Sequence, residues 1–404
     1  MKYDVIIIGG GPSGIMAALT SAQKYQNILL VEKNSSLGRK LLLTGGGRCN
    51  LTNNKNTNDL IKNIIGNGKF LYSALNNFGS CDIMDFFENL NVELKEEDNG
   101  RIFPISNKAK SILDALYQAL KNAHIKIQTN AEVIQLNKCQ NTIESISLKN
   151  GETLYADNFI LATGGKSFSL TGSCGDGYRM ATKIGHHITE LYPSEVPIIS
   201  HEAVIKDQSL KGLSFKNVII KVIDQQNKPL ITHQGPMIFT HFGISGPCAL
   251  RCSGLIAKNI EKDLTLEIDL LPNIPTTQLM AILIKQKNLA INKALKTYLP
   301  ERFANYIAKA WLNIPITNIS KNNLATIINQ IKAFRLSAYA TLDIDKAFVT
   351  AGGIDIKEID PKTMRSKLFH NLYFCGELID VHGYTGGYNL TVAFSTGHLA
   401  GKLL

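Results

Sequence analysis

A glycine-rich turn near the amino terminus constrains this chain more than any other feature. The hexapeptide Gly9–Gly14 fits the pattern GxGxxG and lies between an apolar strand pattern at 4–8 and a helical pattern. A second strand pattern at 27–31 is followed by Glu32, about 20 residues farther along the chain. This order predicts a parallel β-α-β unit with a right-handed crossover. We therefore expect an α/β protein of the Rossmann type.

Each part of the turn has a physical role in holding a dinucleotide. Gly9 permits the tight turn, Gly11 brings the backbone close to a pyrophosphate, and Gly14 lets helix and strand pack closely. The helix N-terminus offers free N–H groups and a positive dipole end to the phosphates. Glu32 is suited to accept hydrogen bonds from a ribose diol. The predicted phosphate-binding residues are Gly9, Gly11, Pro12, Ser13 and Gly14.

Two later motifs decide between the dinucleotides that share this fingerprint. The stretches 160–165 (ILATGG) and 372–377 (LYFCGE) resemble motifs of the two-segment FAD domains of the glutathione-reductase type. The resemblance implies that an acidic residue at the second motif meets the ribityl chain, and either Glu377 or the nearby Asp380 fits that role. It also implies a backbone contact of Val133 with the adenine. The expected cofactor is therefore FAD, held without a covalent bond.

Three longer stretches narrow the resemblance. They are 43–53 (LTGGGRCNLTN), 239–247 (FTHFGISGP) and 376–390 (GELIDVHGYTGGYNL). Together they resemble the BaiN/RdsA family of NAD(P)/FAD-dependent oxidoreductases, which includes aminoacetone-oxidase-like proteins, and the resemblance spans essentially the whole chain. It implies an FAD domain that carries a β-barrel and a helical insertion. Because no second GxGxxG occurs, NAD(P)H is expected only as a transient reductant at the flavin face.

The strand and helix patterns agree with that architecture. The fold class we predict is α/β, with a discontinuous Rossmann-type FAD-binding domain and inserted β-barrel-like and helical subdomains. The predicted boundaries are 1–192 with 345–404 for the FAD domain, 193–272 for the β-rich insertion, and 273–344 for the basic helical insertion. Within the FAD domain, short separate strands are expected at 153–155 and 158–162.

Several of the remaining cofactor candidates lie in two glycine-rich stretches. Gly387, Tyr388, Asn389 and Leu390 begin the last helix, whose N–H groups are expected at the flavin pyrimidine edge. Gly45–Gly47 predicts a loop that approaches a flat or charged group, although a plain loop fits the same residues. The predicted cofactor set is completed by Lys33, Arg39, Lys40, Gly47, Arg48, Asn50, Thr163, Gly164 and Gly376.

Three side chains are candidates for the proton transfer. His241, in a turn-forming stretch of the β insertion, is the first candidate for a substrate-side acid or base, and a core or turn histidine is the alternative. Cys49 is either a proton donor or redox thiol, or a buried structural cysteine. Tyr384 is the third candidate donor, with a solvent-facing loop tyrosine as the alternative. The spacing of the histidines and the seven cysteines predicts neither a metal site nor a disulfide framework.

The charge distribution points to a polyanion. The net charge is +10, and the segment 276–334 carries eight lysines and arginines against Glu301 alone. Such a patch is the electrostatic footprint of a nucleic acid, and Tyr298, Tyr306 and Trp311 are available to stack on bases. A lysine-rich solvated helix surface is the alternative.

These observations leave three functional hypotheses. The first is a reductase that passes hydride from NAD(P)H through flavin N5 to an activated C=C bond. The family resemblance implies uridine in 23S ribosomal RNA or a small molecule as the substrate. The second is a flavin-dependent oxidase of a small aminoketone, and the third is a non-catalytic flavin-bound RNA-binding factor. No apolar run long enough to cross a bilayer occurs, and a cytoplasmic location is expected.

Overall fold

The computed structural model describes residues 2–403, which form two compact units. The nucleotide unit consists of residues 2–192 and 348–403, and the second unit is Pro193–Ala347. The strands and helices of the second unit share one hydrophobic cluster. The finer division of that unit into a β-rich and a helical insertion stays a prediction.

The described residues form the following regular elements. The strands are β1 (Lys2–Ile8), β2 (Ile28–Val31), β3 (Thr52–Asn53), β4 (Leu94–Glu97), β5 (Arg101–Pro104), β6 (Lys126–Gln128), β7 (Val133–Cys139), β8 (Thr142–Leu148), β9 (Thr153–Leu161), β10 (Tyr192–Ser194), β11 (Ile198–Ile199), β12 (Ser214–Ile223), β13 (Pro229–Phe239), β14 (Gly243–Ser245), β15 (Leu264–Asp269), β16 (Phe334–Ala338), β17 (Ala340–Thr341), β18 (Val349–Ala351) and β19 (Leu372–Phe374). The helices are α1 (Pro12–Ser21), α2 (Thr57–Lys62), α3 (Tyr72–Asn77), α4 (Ser80–Asn89), α5 (Ala109–Asn122), α6 (Asp176–Ile184), α7 (Ala203–Lys206), α8 (Pro247–Lys258), α9 (Thr276–Lys285), α10 (Ile291–Leu295), α11 (Glu301–Ile307), α12 (Lys321–Lys332) and α13 (Tyr388–Gly401).

The main sheet of the nucleotide unit has the expected parallel centre. Its order is β6-β2-β1-β9-β8-β7, with β19 also paired to β9. The strands β6, β2, β1, β9 and β19 run parallel, whereas β7 and β8 pair in antiparallel fashion. The α/β Rossmann fold predicted from the sequence is confirmed.

One strand prediction was wrong. The sequence indicated separate strands at 153–155 and 158–162, but β9 is continuous from Thr153 to Leu161. Its first part pairs with β8 and its last part pairs with β19. The polar residues between the two parts stay extended because β1 pairs with β9 along nearly its whole length.

The two chain ends meet through close helix packing. A Cβ atom on Gly397 of α13 would overlap the backbone of Ser13 in α1, and one on Gly401 would lie 2.5 Å from the carbonyl oxygen of Ala17. The hydroxyl of Ser21 also donates to the carbonyl of Gly401 at 3.1 Å. The absence of side chains on α13 at these points lets the carboxyl-terminal helix lie against α1 and complete the nucleotide unit.

The second unit contains a seven-stranded antiparallel sheet in the order β16-β15-β12-β13-β14-β11-β17. Its two end strands are joined in the chain by Tyr339 alone, so the sheet must bend back on itself. This curvature is what the barrel-like prediction requires, although β16 and β17 form no closing pair in the described part. Apolar side chains of α9–α12 belong to the same hydrophobic cluster as the sheet.

No helix within residues 2–403 combines the length and apolar character required to cross a membrane. The same residues contain no group of three or more histidine, cysteine or acidic side chains placed to hold a metal ion. All seven cysteines are free thiols.

Candidate cofactor site

One pocket of the nucleotide unit is lined by most of the predicted cofactor residues. It runs past the start of α1, the end of β2, the start of β7, the segment before α6 and the first turn of α13. The predicted residues that line it are Gly9, Gly11, Pro12, Ser13, Glu32, Lys33, Arg39, Lys40, Val133, Thr163, Gly164, Glu377, Asn389 and Leu390.

The glycines of the first turn have different tasks. Gly9 has φ +111°, and a Cβ atom there would overlap the carbonyl oxygen of Ala162. A Cβ atom on Gly14 would overlap the carbonyl oxygen of Gly9. A Cβ atom on Gly11 would meet no described atom within 4 Å, and Gly11 lines the pocket. Gly9 and Gly14 are thus required by packing, and Gly11 keeps the backbone open toward the pocket.

Glu32 is held rigidly at the end of β2. One carboxylate oxygen accepts from the N–H of Gly10 at 2.8 Å. The other accepts from the backbone and side-chain N–H groups of Asn34, at 2.8 and 2.7 Å. These three bonds leave acceptor capacity on the oxygen that faces Gly10, and they fix the buried carboxylate where a ribose diol is expected.

A salt bridge marks another side of the pocket. The ammonium of Lys40 donates to Glu377 at 2.7 Å and to the hydroxyl of Ser167 at 2.8 Å. The second carboxylate oxygen of Glu377 accepts from the N–H of Thr350 at 2.8 Å. Asp380 does not line the pocket. This arrangement favours Glu377 over Asp380 as the acidic residue of the cofactor site.

The segment before α6 is a part of the pocket that the sequence did not reveal. Thr171, Gly172, Ser173 and Asp176 line it. Asp176 forms a salt bridge with Lys33, and the side chain of Asn34 donates to the carbonyl of Thr171 at 3.1 Å. Arg39, which was predicted, donates to the side chain of Asn34 at 2.9 Å. The signal that could have revealed this segment is the run of glycine and serine that follows Gly164.

The first turn of α13 is clamped by its neighbours. Gly387 has φ +96°, and a Cβ atom there would overlap the backbone of Thr52. With the side-chain amide of Asn50 turned to satisfy its neighbours, its oxygen accepts from the N–H of Gly387 at 3.0 Å. The side chain of Asn389 accepts from the N–H of Gly383 and donates to its carbonyl, both at 2.8 Å. Asn50 and Gly387 therefore lie behind the pocket wall and support it.

The other predicted cofactor residues outside the pocket lining also contact protein. Gly376 has φ +74° and packs against Ser13, so it lets β19 end close to α1. The hydroxyl of buried Tyr388 accepts from Lys55 at 2.8 Å. The guanidinium of Arg48 pairs with Glu97 and lies 4.2 Å from the ring centre of Phe103. Gly14, Gly47 and Asp380 complete this group. A direct role of Arg48 or Gly47 on the flavin stays a prediction.

None of the three candidate proton donors lines the pocket. The Cys49 thiol is fully buried, and burial raises its pKa to about 12 despite a hydrogen bond with Thr44. Tyr384 is 8% exposed, and its backbone N–H donates to the carbonyl of Asn63 at 3.0 Å. His241 belongs to the second unit, where it is exposed between β13 and β14 with its ring edge-on to Phe242. Their catalytic roles stay predictions.

The basic segment of the second unit contains both lysines held in ion pairs and exposed lysines outside the described ion pairs. Lys332 is 14% exposed and pairs with Asp269 at 2.7 Å, and Lys296 pairs with Glu301. Tyr298, Tyr306 and Trp311 are half-buried against the hydrophobic cluster, which reduces the ring surface open to a base. The exposed lysines of the segment that have no ion pair among the described residues are Lys285, Lys287, Lys293, Lys309 and Lys321.

Comparison with known proteins identifies the family. The model of the HI0933-like protein Rossmann domain matches residues 3–403. The chain belongs to the HI0933-like family. This membership confirms the resemblance predicted from the three long motifs, and it covers both units of the fold.

Curated relatives match this chain along nearly its whole length. It is 30% identical to a 3-dehydro-bile acid delta(4,6)-reductase of Clostridium scindens, over 98% of this chain and 97% of the relative. It is 29% identical to a ribosomal RNA dihydrouridine synthase of Escherichia coli, over 98% and 96% of the two chains. A 3-ketosteroid delta1-dehydrogenase structure from Sterolibacterium denitrificans, 13% identical, covers 99% of both chains with a TM-score of 0.53 and shows a similar fold.

The family and its relatives make this chain an FAD-dependent oxidoreductase, as the sequence predicted. The pocket fits the cofactor. Glu32 and Val133 suit the adenosine, and Gly11 with the N-terminus of α1 suits the pyrophosphate. The first turn of α13 lines another part of the same wall through Asn389 and Leu390. The N–H groups of this turn suit the flavin ring.

Proposed function

We propose that this HI0933-like protein is a reductase of an activated C=C bond, with uridine in 23S ribosomal RNA as its substrate and NAD(P)H as its electron donor. The observation that carries the RNA proposal is the group of five exposed lysines without ion pairs in the basic segment. Supporting it, the E. coli relative and a Haemophilus influenzae relative, 29% identical over 97% of this chain, are both named ribosomal RNA dihydrouridine synthases.

Bound FAD supplies hydride transfer to one carbon of the double bond, and the other carbon receives a proton. The chain's own contribution is to hold the cofactor and to orient the substrate. Glu32, fixed by three hydrogen bonds, anchors the adenosine half. The exposed lysines attract the phosphate backbone, which positions the RNA but does not select its sequence. A cytoplasmic location, where ribosomal RNA is found, forms part of this proposal.

The decisive experiment measures dihydrouridine in 23S ribosomal RNA by mass spectrometry of nucleosides from cells with and without the gene. We expect one modified position to disappear on deletion and to return when the wild-type gene is restored. A Glu32→Ala variant, which loses the anchor of the adenosine half, should fail to restore it. Unchanged dihydrouridine content in the deletion strain would contradict the RNA proposal.

RNA binding is tested with a charge-reversal variant. Replacement of Lys285, Lys287, Lys293 and Lys309 by glutamate should weaken binding of 23S ribosomal RNA and flatten its salt dependence. The matched control carries the same substitution at four exposed lysines elsewhere, Lys69, Lys121, Lys228 and Lys362. Equal loss of binding in both variants would show that net charge, and not this segment, attracts the RNA.

A small enone is the second candidate substrate, because a relative 30% identical is named a bile acid reductase. Consumption of NAD(P)H with a steroid enone and not with RNA would favour it. Release of hydrogen peroxide with aminoacetone, in the absence of nicotinamide, would instead favour the oxidase hypothesis. A flavin that no reductant bleaches would favour the non-catalytic hypothesis.

A further inference from the structure

A chain of three buried hydroxyl groups lies directly behind the first turn of α13. Thr52 and Thr391 approach to 2.7 Å, and Thr52 and Ser80 approach to 3.0 Å, oxygen to oxygen. At one end, Thr391 donates to the carbonyl of Gly387 at 3.0 Å. At the other end, Ser80 donates to the carbonyl of Asn53 at 2.6 Å. The three hydroxyl residues are all at least 96% buried, so these bonds are shielded from water.

The hydroxyl chain connects two distant parts of the sequence at the backbone of Gly387. Gly387 is the N-cap of α13, and its left-handed conformation presses its backbone onto that of Thr52. Its N–H donates to Asn50 and its carbonyl accepts from Thr391. The carbonyl also accepts the helical hydrogen bond from the backbone N–H of Thr391 at 3.0 Å. Both polar groups of the N-cap residue therefore have partners, the N–H in a side chain of the 43–53 stretch and the carbonyl in the backbone and side chain of Thr391.

The hydroxyl chain has fewer protons than contacts. Three hydroxyl protons serve four oxygen–oxygen contacts, so one contact carries no hydrogen bond at any moment. When Thr391 donates to the Gly387 carbonyl and Ser80 donates to the Asn53 carbonyl, the Thr52 hydroxyl donates to one of its two neighbours. Removal of one hydroxyl interrupts the chain and leaves a buried neighbour without its partner, which is costly.

We infer that Thr391 and Thr52 are positioning residues for the cofactor. They fix the N-cap of α13, and so the direction of the N–H groups that follow it in the pocket wall at Asn389 and Leu390. Those N–H groups carry the positive end of the helix dipole, which favours negative charge on a reduced ring system. The inference requires FAD in the pocket and is independent of the substrate.

The test replaces Thr391 by valine, which keeps the shape and removes the hydroxyl. Apo protein is titrated with FAD, and the midpoint potential of the bound flavin is measured with reference dyes. We expect the Kd for FAD to rise roughly threefold to tenfold, from the loss of about one buried hydrogen bond. The midpoint potential should shift to a more negative value. Thr391→Ser, which restores the hydroxyl, should restore both quantities.

Two further variants separate positioning from general stability. Thr52→Val should reproduce the effect of Thr391→Val, and the double variant should be no worse than the stronger single one, because both interrupt one chain. Ser395→Ala is the matched control. It removes another buried α13 hydroxyl, which donates to the carbonyl of Phe78 at 2.6 Å away from the N-cap.

The potential distinguishes the outcomes. A shift in Thr391→Val and Thr52→Val but not in Ser395→Ala supports the inference. An unchanged potential in both threonine variants, or an equal shift in the control, overturns it. If Thr391→Val does not fold, Thr52→Val compared with Ser395→Ala gives the same decision. Unchanged dihydrouridine content in the deletion strain would leave the FAD affinities and potentials of these variants unaffected, so failure of the proposed substrate and failure of this inference are distinguishable.

Discussion

The loops Gly9–Gly14 and Gly45–Gly47 are both rich in glycine, but side chains added to them would meet different surroundings. In the first loop, a Cβ atom on Gly9, or on Gly14 in the first turn of α1, would overlap backbone. In the second, Gly45, Gly46 and Gly47 all have positive φ, from 58° to 85°, and Gly46 has no described atom within 4 Å of its Cβ position. Gly14 is required by close packing alone and Gly46 by backbone conformation alone, whereas Gly9 and Gly45 combine a positive φ with a close backbone neighbour.

This difference teaches that a glycine pattern alone does not tell which constraint it serves. Packing constraints involve a distant partner, such as Ala162 against Gly9. Conformational constraints are local, and asparagine meets them partly because it tolerates the left-handed region. The predictions below use substitutions that separate the two kinds of constraint.

The largest effect is expected for Gly14→Ala. The new methyl group would overlap the backbone carbonyl oxygen of Gly9, which cannot move without shifting the turn between β1 and α1. We expect a loss of about 3 kcal/mol in the free energy of unfolding, or failure to fold. Chemical denaturation checks this expectation. Wild-type stability in Gly14→Ala would show that the close contact of helix and strand is not required.

Gly11→Ala is expected to separate folding from cofactor binding. Its Cβ atom meets no described atom within 4 Å, so the unfolding free energy of the apo protein should change little. The methyl group would stand in the pocket beside the predicted pyrophosphate position, and the Kd for FAD should rise by at least about tenfold. Gly151→Ala is the control, since Gly151 does not line the pocket and its Cβ position is equally open, so FAD affinity should not change there. Equal FAD affinities of Gly11→Ala and wild type would show that Gly11 does not serve cofactor binding.

Gly46 tests the conformational constraint by itself. Gly46→Ala should cost about 1 kcal/mol of stability, because φ is +67° and no clash accompanies the change. Gly46→Asn should cost less, as asparagine adopts this conformation more readily. Thermal unfolding of the two variants side by side provides the measurement. A larger loss for asparagine than for alanine would indicate packing, and not conformation, at this position.

The smallest effect concerns Cys49, which follows the second loop at φ +60°. Its pKa is raised by burial from 9.0 to about 12. The unfolded chain therefore releases this proton at lower pH than the folded chain, and the associated stability is present below pH 9 and lost as the pH rises toward 12. Cys49→Ala should show a weaker decrease in melting temperature over that range. If Cys49→Ala and wild type showed the same pH dependence of the melting temperature, Cys49 would not contribute to the loss of stability at high pH.

The sequence predicted the fold class and the parallel centre of the main sheet, and most of the cofactor residues predicted from it line the pocket. Those features depend on local periodicity and on the spacing of glycines around Glu32. The sequence did not predict the 171–176 part of the pocket, because contacts with the distant residues Lys33 and Asn34 place it there. The break predicted inside β9 was wrong for the same reason, since pairing with distant strands decides where a strand continues.

The sequence by itself determined that this chain holds a dinucleotide at a β-α-β turn, because a glycine turn, a helix start and an acidic strand end are all encoded within 32 residues. Only the tertiary structure decided which acidic residue of the 376–390 stretch reaches the pocket. It also decided that Asn50, Thr52 and Thr391 meet at one N-cap. The physical reason is that such contacts join residues hundreds of positions apart, and hydrogen-bond partners are chosen by packing and not by sequence distance.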